Sequence, residues 1–531
     1  MKKLVSRPLL SLLAAACLIS PGAPLNAQVN LPALGDSVSQ DMDVNAERQL
    51  GDRYMRMIRV DPAYVQDPLL REYLDSIWNP LVEAARKLGN ISDDQQSRFA
   101  WEPFLVEDKS VNAFALPGGF VGVHLGLIAM TVSRDELASV IGHEISHVTQ
   151  RHIARRIAGD SKNSMLAIAG LLLGVLAASR GNIDLANAGI VGGQAAATQM
   201  SLNFSRDMER EADRVGFNVL TGAGFAGSGM VSMFERMEQA YSLMDSGAYP
   251  YLRSHPLTTE RIGDARTRLA LEPFARPRGL AEHALMAARS RVLMDPRAEA
   301  WRVLVNYDAG ARSDASNGYE QLGARYAATL AAIKLRDFDR AEAALRSAEV
   351  TLQIIAPSPA ETAAASRQLT FLRAELAQAR GRPAEGIAAL DKLSEKSRPM
   401  LLYRVGLALA SGPLSASGTA LRDAADALQT HVSLQPSDAY AWSLLALVWD
   451  KLEQPLRAIR ARAETHAAAG DLNGAIDRLR SGMRLSRGPD VDQVEASVID
   501  ARLRTLVYER QSLLAEMYKG RYIPPDVELP N

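Results

Sequence analysis

The stretch Val140–His152, "VIGHEISHVTQRH", carries two histidines four residues apart around a glutamate. In a helix that spacing puts the imidazoles of His143 and His147 on one face, where both can reach a single ion, and sets Glu144 beside them as a base for water. Amphipathic helices also carry surface histidines, so a site needs more than this pair. A catalytic zinc takes a third protein ligand and keeps one position open. That ligand does not follow locally, because in the pattern HExxHxxGxxH, Gln150 stands where glycine is required and Ile153 where the third histidine is required. The run "SRDELASVIGHEISHVTQRHIARRIAG" reads as one uninterrupted helix. On it His152, nine residues past His143, lies half a turn away and is expected to be an exposed histidine.

Downstream, "NFSRDMEREADRVGF" (203–217) is a helical pattern dense in carboxylates: Asp207, Glu209, Glu211 and Asp213. Glu209 and Asp213, four apart, share a face. One of them can bind metal while the other holds a ligand histidine through its second ring nitrogen. Spacing alone does not choose Glu209 over Glu211. Upstream, "VNAFALPGGFVGVH" (111–124) reads as a hairpin of Val111–Ala115 against Phe120–His124 around "LPGG". An exposed strand edge there can pair with an extended substrate, with Asn112, Ala113 and Phe114 as the candidate binding residues. In "RSHPLTTERI" (253–262), His255 has three open readings. It donates to a developing oxyanion, or it binds the metal as an inhibitory fourth ligand, or it is a loop histidine held by Pro256.

The whole chain sets the frame. At 531 residues it is too long for one core. Its 47% hydrophobic and 23% charged residues are those of a globular protein. Lys and Arg (60) balance Asp and Glu (61), so charge directs the chain neither to nucleic acid nor to an anionic membrane. The N-terminus "MKKLVSRPLLSLLAAACLISPGAPLNAQVN" has basic residues, a short apolar run and small residues before Gln28. It reads as a signal peptide (1–27) cleaved after Ala27. Cys17 is the only cysteine, so the mature chain would have none and the periplasm fits. The charge-poor run Met165–Ala178 is too short to span hydrocarbon; it is expected to be a lid or buried helix rather than a membrane span.

A Pro/Gly-rich linker, "LEPFARPRG" (271–279), divides the expected metallopeptidase domain (28–270) from a second domain (280–531). In the latter "LRDFDRAEAALRSAE", "ARGRPAEGIAALDKL" and "AAGDLNGAIDRLRSG" recur loosely as helix, turn and helix. They resemble tetratricopeptide repeats, which stack into a concave binding surface. The expected fold is mainly α: a zincin-like α+β metallopeptidase domain with a small β-sheet, then an all-α repeat domain.

"VNAFALPGG", "GHEISHVTQRH", "EREAD" and "SHPLTTERI" occur in that order within Val111–Ile262. Together they resemble the zinc metallopeptidase family that includes the CAAX prenyl endopeptidase and HtpX. The resemblance implies one Zn²⁺ per subunit held by His143, His147 and Glu209, the first glutamate of ExxAD. It also implies that Asp213 supports a ligand histidine and that Glu144 is the base for hydrolysis of internal peptide bonds. With the signal peptide and repeat half, it further implies quality control of outer-membrane proteins. Substrates would be unfolded or stalled β-barrel precursors, with a chaperone contribution and the outer-membrane β-barrel assembly complex as partner. The alternative is a repeat-based chaperone or scaffold with a latent or structural metal site.

Overall fold

The computed structural model describes residues 42–159, 205–243, 250–273, 278–310, 317–411, 414–487 and 492–518. The expected signal peptide 1–27 and the run Met165–Ala178 lie outside them, and the expected linker 271–279 lies partly outside.

Helix α1 (Val44–Arg59) starts where Asp43 accepts a hydrogen bond from the Ala46 N–H, and it buries Leu50, Tyr54, Met55 and Ile58 on one stripe. Strand β1 (Tyr64–Val65) leads to α2 (Pro68–Lys87), which begins at the Asp67 cap with Pro68 at its first position. Its Leu70, Leu74, Ile77, Trp78 and Leu81 are buried in the central core. After α3 (Asp93–Arg98) come β2 (Glu102–Val106), β3 (Ala113–Leu116) and β4 (Phe120–His124).

The sheet order is β1-β2-β4-β3. β2 runs parallel to β4, and β3 is antiparallel to β4 with Phe114 opposite Gly122 and Leu116 opposite Phe120. β3 is therefore an edge. The hairpin turns at Gly118 (φ 78°) and Gly119 (φ 90°), a conformation that glycine reaches without steric cost. The strand expected at Val111–Ala115 starts and ends slightly later, because "LPGG" closes after Leu116.

Helix α4 (Leu125–Met130) precedes α5 (Arg134–Thr149), which starts at Ser133, whose side chain accepts from the Glu136 N–H. Every residue of α5 from Asp135 to Thr149 is buried. The helix expected to be uninterrupted stops here. Arg151 adopts a left-handed φ of 51°, and a separate helix, α6 (His152–Gly159), starts after it. The break is held by Arg151 itself, which pairs with Glu47 at 2.9 Å and donates to the Met42 carbonyl at 2.6 Å.

Helix α7 (Arg206–Gly222), capped by Ser205, packs along α5. The two backbones approach closely at Gly142 and Gly216: a β-carbon on Gly216 would lie 3.2 Å from Gly142 and from His143 Cα. This contact brings the acidic face of α7 to the histidine face of α5. Helices α8 (Ser228–Leu243), α9 (Pro250–Ser254) and α10 (Thr259–Leu269) complete this part.

From α11 (Leu280–Leu293) to Tyr518 the described residues form helices that pack against their successors. The first of these share the core of the preceding half. One buried apolar cluster runs from Leu69 through Leu285, Leu330 and Phe371 to Leu407. At its centre the buried Arg289 of α11 pairs with Asp67 at 2.6 Å and Glu375 at 2.8 Å and donates to the Tyr326 hydroxyl. No helix among the described residues is long and apolar enough to cross a membrane.

Candidate metal centre

His143 and His147 project from one face of α5, as helical spacing requires. Their Nε2 atoms are 3.0 Å apart. Glu209 of α7 places Oε2 3.5 Å from His143 Nε2 and Oε1 3.5 Å from His147 Nε2. His255, just past α9, brings Nδ1 to 3.3 Å from His143 Nε2 and 3.0 Å from Glu209 Oε1. All four residues are buried, and their ligand atoms lie within 4.8 Å of one another.

These separations fit a metal. Four ligands at about 2.0–2.1 Å from a tetrahedral Zn²⁺ stand roughly 3.3–3.5 Å from each other. Three imidazole nitrogens and a carboxylate turned inward also form a donor set suited to a borderline-soft cation. The electrostatics agree in sign. Burial disfavours charge on His143, but Asp213 and Glu209 overcome it and raise its pKa to about 10. Burial and the neighbouring His143 keep His147 neutral well below the usual histidine range. Burial opposes the Glu209 carboxylate, yet His255 and His143 hold it ionised.

Glu144 is fully buried beside this group. Its Oε2 accepts a hydrogen bond from the Ala115 N–H at 3.1 Å, and its Oε1 lies 3.6 Å from His255 Nε2 without a hydrogen-bond partner. Burial, the largest influence, raises its pKa. A carboxylate oriented by strand β3 and turned toward the ligand set is placed to take a proton from water.

The ligand rings are supported from behind. His143 Nδ1 stands 3.0 Å from Asp213 Oδ1, and Arg261 of α10 grips Asp213 with two bonds of 2.6 and 2.8 Å. The same guanidinium reaches Glu209 Oε2 at 2.9 Å and the Pro256 carbonyl at 2.9 Å. Sequence reasoning passed over Arg261, although it lies inside the "SHPLTTERI" motif. His152 is a correction. It is 0% exposed, with Nδ1 2.9 Å from His147 Nδ1 and Nε2 3.1 Å from Glu211, because the helix breaks at Arg151 before it. Glu211 thus faces His152, while Glu209 faces the ligand group.

The strand-edge residues divide. The His124 N–H donates to the Asn112 carbonyl, so by alternation the peptide groups of Asn112 and Phe114 point to β4 and those of Ala113 and Ala115 point outward. Asn112 and Ala113 are buried and Phe114 is half-buried. At the start of the edge the Tyr251 N–H approaches the Val111 carbonyl at 3.4 Å, so the segment that carries His255 lies against this edge.

Fold and site define a metallopeptidase: residues 71–269 match the model of peptidase family M48, and the chain belongs to that family. A Vibrio cholerae protein named "Putative beta-barrel assembly-enhancing protease" is 36% identical over 352 residues, 64% of this chain and 68% of that protein. The beta-barrel assembly-enhancing protease of Escherichia coli (strain K12) is 28% identical over 511 residues, 94% of this chain and 96% of its own length. The mitochondrial metalloendopeptidase OMA1 of Saccharomyces cerevisiae is 29% identical over 194 residues, covering 36% of this chain and 53% of that protein.

Proposed function

We propose that this protein is a zinc endopeptidase of the periplasm that cleaves unfolded or stalled outer-membrane β-barrel proteins, and that His255 holds it latent. The observation that carries the reading is the compact set of His143, His147, Glu209 and His255 beside the buried Glu144. A Zn²⁺ held there would activate water and polarise the scissile carbonyl. Glu144 takes the proton from the water and delivers it to the departing amine. Asp213 and Arg261 orient His143 and Glu209. An extended segment of substrate pairs with β3 through the outward peptide groups of Ala113 and the Ala115 carbonyl, the Ala115 N–H being held by Glu144, rather than through Asn112 and Phe114.

A working site keeps one coordination position open, whereas four protein ligands close it. If His255 Nδ1 took the fourth position, the site would be closed at rest, and substrate access would require the segment around Tyr251 and His255 to leave the β3 edge. The signal-peptide pattern and the absence of cysteine beyond Cys17 favour the periplasm. Tetratricopeptide-like helices after 280 would receive substrates or the β-barrel assembly complex, in keeping with the names of the relatives.

One observation favours a second reading. The four-ligand closure is also what a structural zinc site shows, so the helical half could act as a chaperone or scaffold around a silent centre. Metal content and casein hydrolysis of the wild type, Glu144→Gln and His255→Ala separate the two. The protease reading expects zinc in all three, no hydrolysis by Glu144→Gln and faster hydrolysis by His255→Ala. No hydrolysis by the wild type or by His255→Ala at full zinc favours the scaffold, whereas an active wild type with a slower His255→Ala makes His255 an oxyanion donor rather than a plug.

A further inference from the structure

His147 is the one ligand whose rear nitrogen faces another histidine. Its Nε2 points into the ligand group, and its Nδ1 lies 2.9 Å from His152 Nδ1. His152 Nε2 is 3.1 Å from Glu211 Oε2, and Arg155 donates to the same oxygen at 3.0 Å. Once His147 offers its Nε2 lone pair to a metal, one arrangement of protons fits these distances. His147 Nδ1–H donates to the bare Nδ1 of His152, whose own proton is on Nε2 and is donated to Glu211.

The ring of His143 has the same design in shorter form, since its Nδ1 meets Asp213, which is clamped by Arg261. Both imidazoles on α5 are thus backed by a carboxylate held by an arginine, directly for His143 and through one intervening ring for His147. His152 reaches His147 because Arg151, held by Glu47 and the Met42 carbonyl, takes a left-handed φ of 51° between the two helices.

We infer that His152 and Glu211 are positioning residues for the metal: a His147–His152–Glu211 relay that fixes the tautomer and orientation of His147 and strengthens it as a ligand. The inference rests on the metallopeptidase reading, because it assigns His147 Nε2 to the ion. The relay ends at a carboxylate whose side chain is 29% exposed, so it can be altered from the solvent side without opening the core.

The test uses the full chain, stripped of metal and then titrated with Zn²⁺ against a competing chelator and with Co²⁺ for its visible absorption bands. His152→Leu removes both bonds. His152→Asn keeps an acceptor, Oδ1, where Nδ1 stood, and Glu211→Gln keeps the geometry but removes the charge. Zn²⁺ affinity should fall about 10–100-fold in His152→Leu, less in His152→Asn and least in Glu211→Gln, with the Co²⁺ bands shifted in the first. A purely structural His152 would alter thermal stability in the leucine and asparagine variants and leave affinity and bands unchanged. Zn²⁺ affinities of His152→Asn and Glu211→Gln both within ~2-fold of wild type would overturn the relay, even where His152→Leu does not fold. Failure of the wild type itself to bind Zn²⁺ or Co²⁺ would overturn the metallopeptidase reading and the relay together.

Discussion

Substituting Gly216 by alanine tests whether the close crossing of α5 and α7 sets the ligand geometry. The new β-carbon would meet Gly142 C, Gly142 O and His143 Cα, each at 3.2 Å. All three are backbone atoms of a fully buried helix, so none can rotate aside. Carbon contacts relax at about 3.5–4.0 Å, so the helices must part by roughly 0.3–0.8 Å. Overpacking of this size costs about 1–3 kcal/mol. His143 and His147 sit on one helix and Glu209 on the other, so the same displacement stretches the ligand set beyond the ~0.2 Å that metal sites tolerate. The expected result is a lower melting temperature together with at least ~10-fold weaker Zn²⁺ binding. Gly222→Ala on the same helix is the control, because its β-carbon meets only the Leu88 and Ala84 side chains, at 3.4 and 3.7 Å. It should leave metal binding intact and stability unchanged or raised by up to ~1 kcal/mol. Wild-type melting and wild-type zinc affinity in Gly216→Ala would refute the reasoning.

Three further outcomes follow from the same structure. Asp213→Asn weakens support of His143 and frees one side of Arg261, so Zn²⁺ affinity measured by chelator competition should drop about 10–100-fold with the fold retained. Arg289→Met leaves Asp67 and Glu375 without their buried cation and should cost about 3–5 kcal/mol in chemical denaturation; a loss under ~1 kcal/mol would count against a cross-link between the halves. His283, buried between the Tyr73 hydroxyl at 2.6 Å and the Thr131 carbonyl at 2.9 Å, has its pKa pushed by burial down to about 4. The unfolded chain binds this proton more readily, so the contribution of neutral His283 is present above about pH 6.5 and is lost as pH falls toward 4, a loss of ~3 kcal/mol. Comparing the pH dependence of unfolding with that of His283→Gln isolates it, and parallel curves would show that His283 is not the source.

The local part of the site was legible in the chain itself. His143, Glu144 and His147 are related by one helical turn, so their spacing already determines their common face. The hairpin was legible for the same reason, since "LPGG" specifies its turn chemistry. The burial of His152 is not legible in the chain, because periodicity predicts a continuous helix and the left-handed residue that breaks it is an arginine, which carries no sequence signal for such a turn. It is held there by Glu47 and the Met42 carbonyl, contacts made across about a hundred positions.

What the sequence determined by itself was therefore the common face of His143 and His147 with Glu144 beside them, and, through the order of its four motifs, the resemblance to a metallopeptidase. Periodicity and turn chemistry act over a few residues, and those residues are neighbours. The resemblance already pointed to Glu209, but only the tertiary structure shows why, by turning Glu209 toward His143 and His147 and Glu211 toward His152; it alone brings Arg261 onto Asp213 and Glu209 and sets His255 beside the other three residues. These follow from where two helices touch at Gly142 and Gly216 and where a short loop lies along a strand edge. Such contacts join segments far apart in the chain and depend on shape and burial that no local spacing encodes.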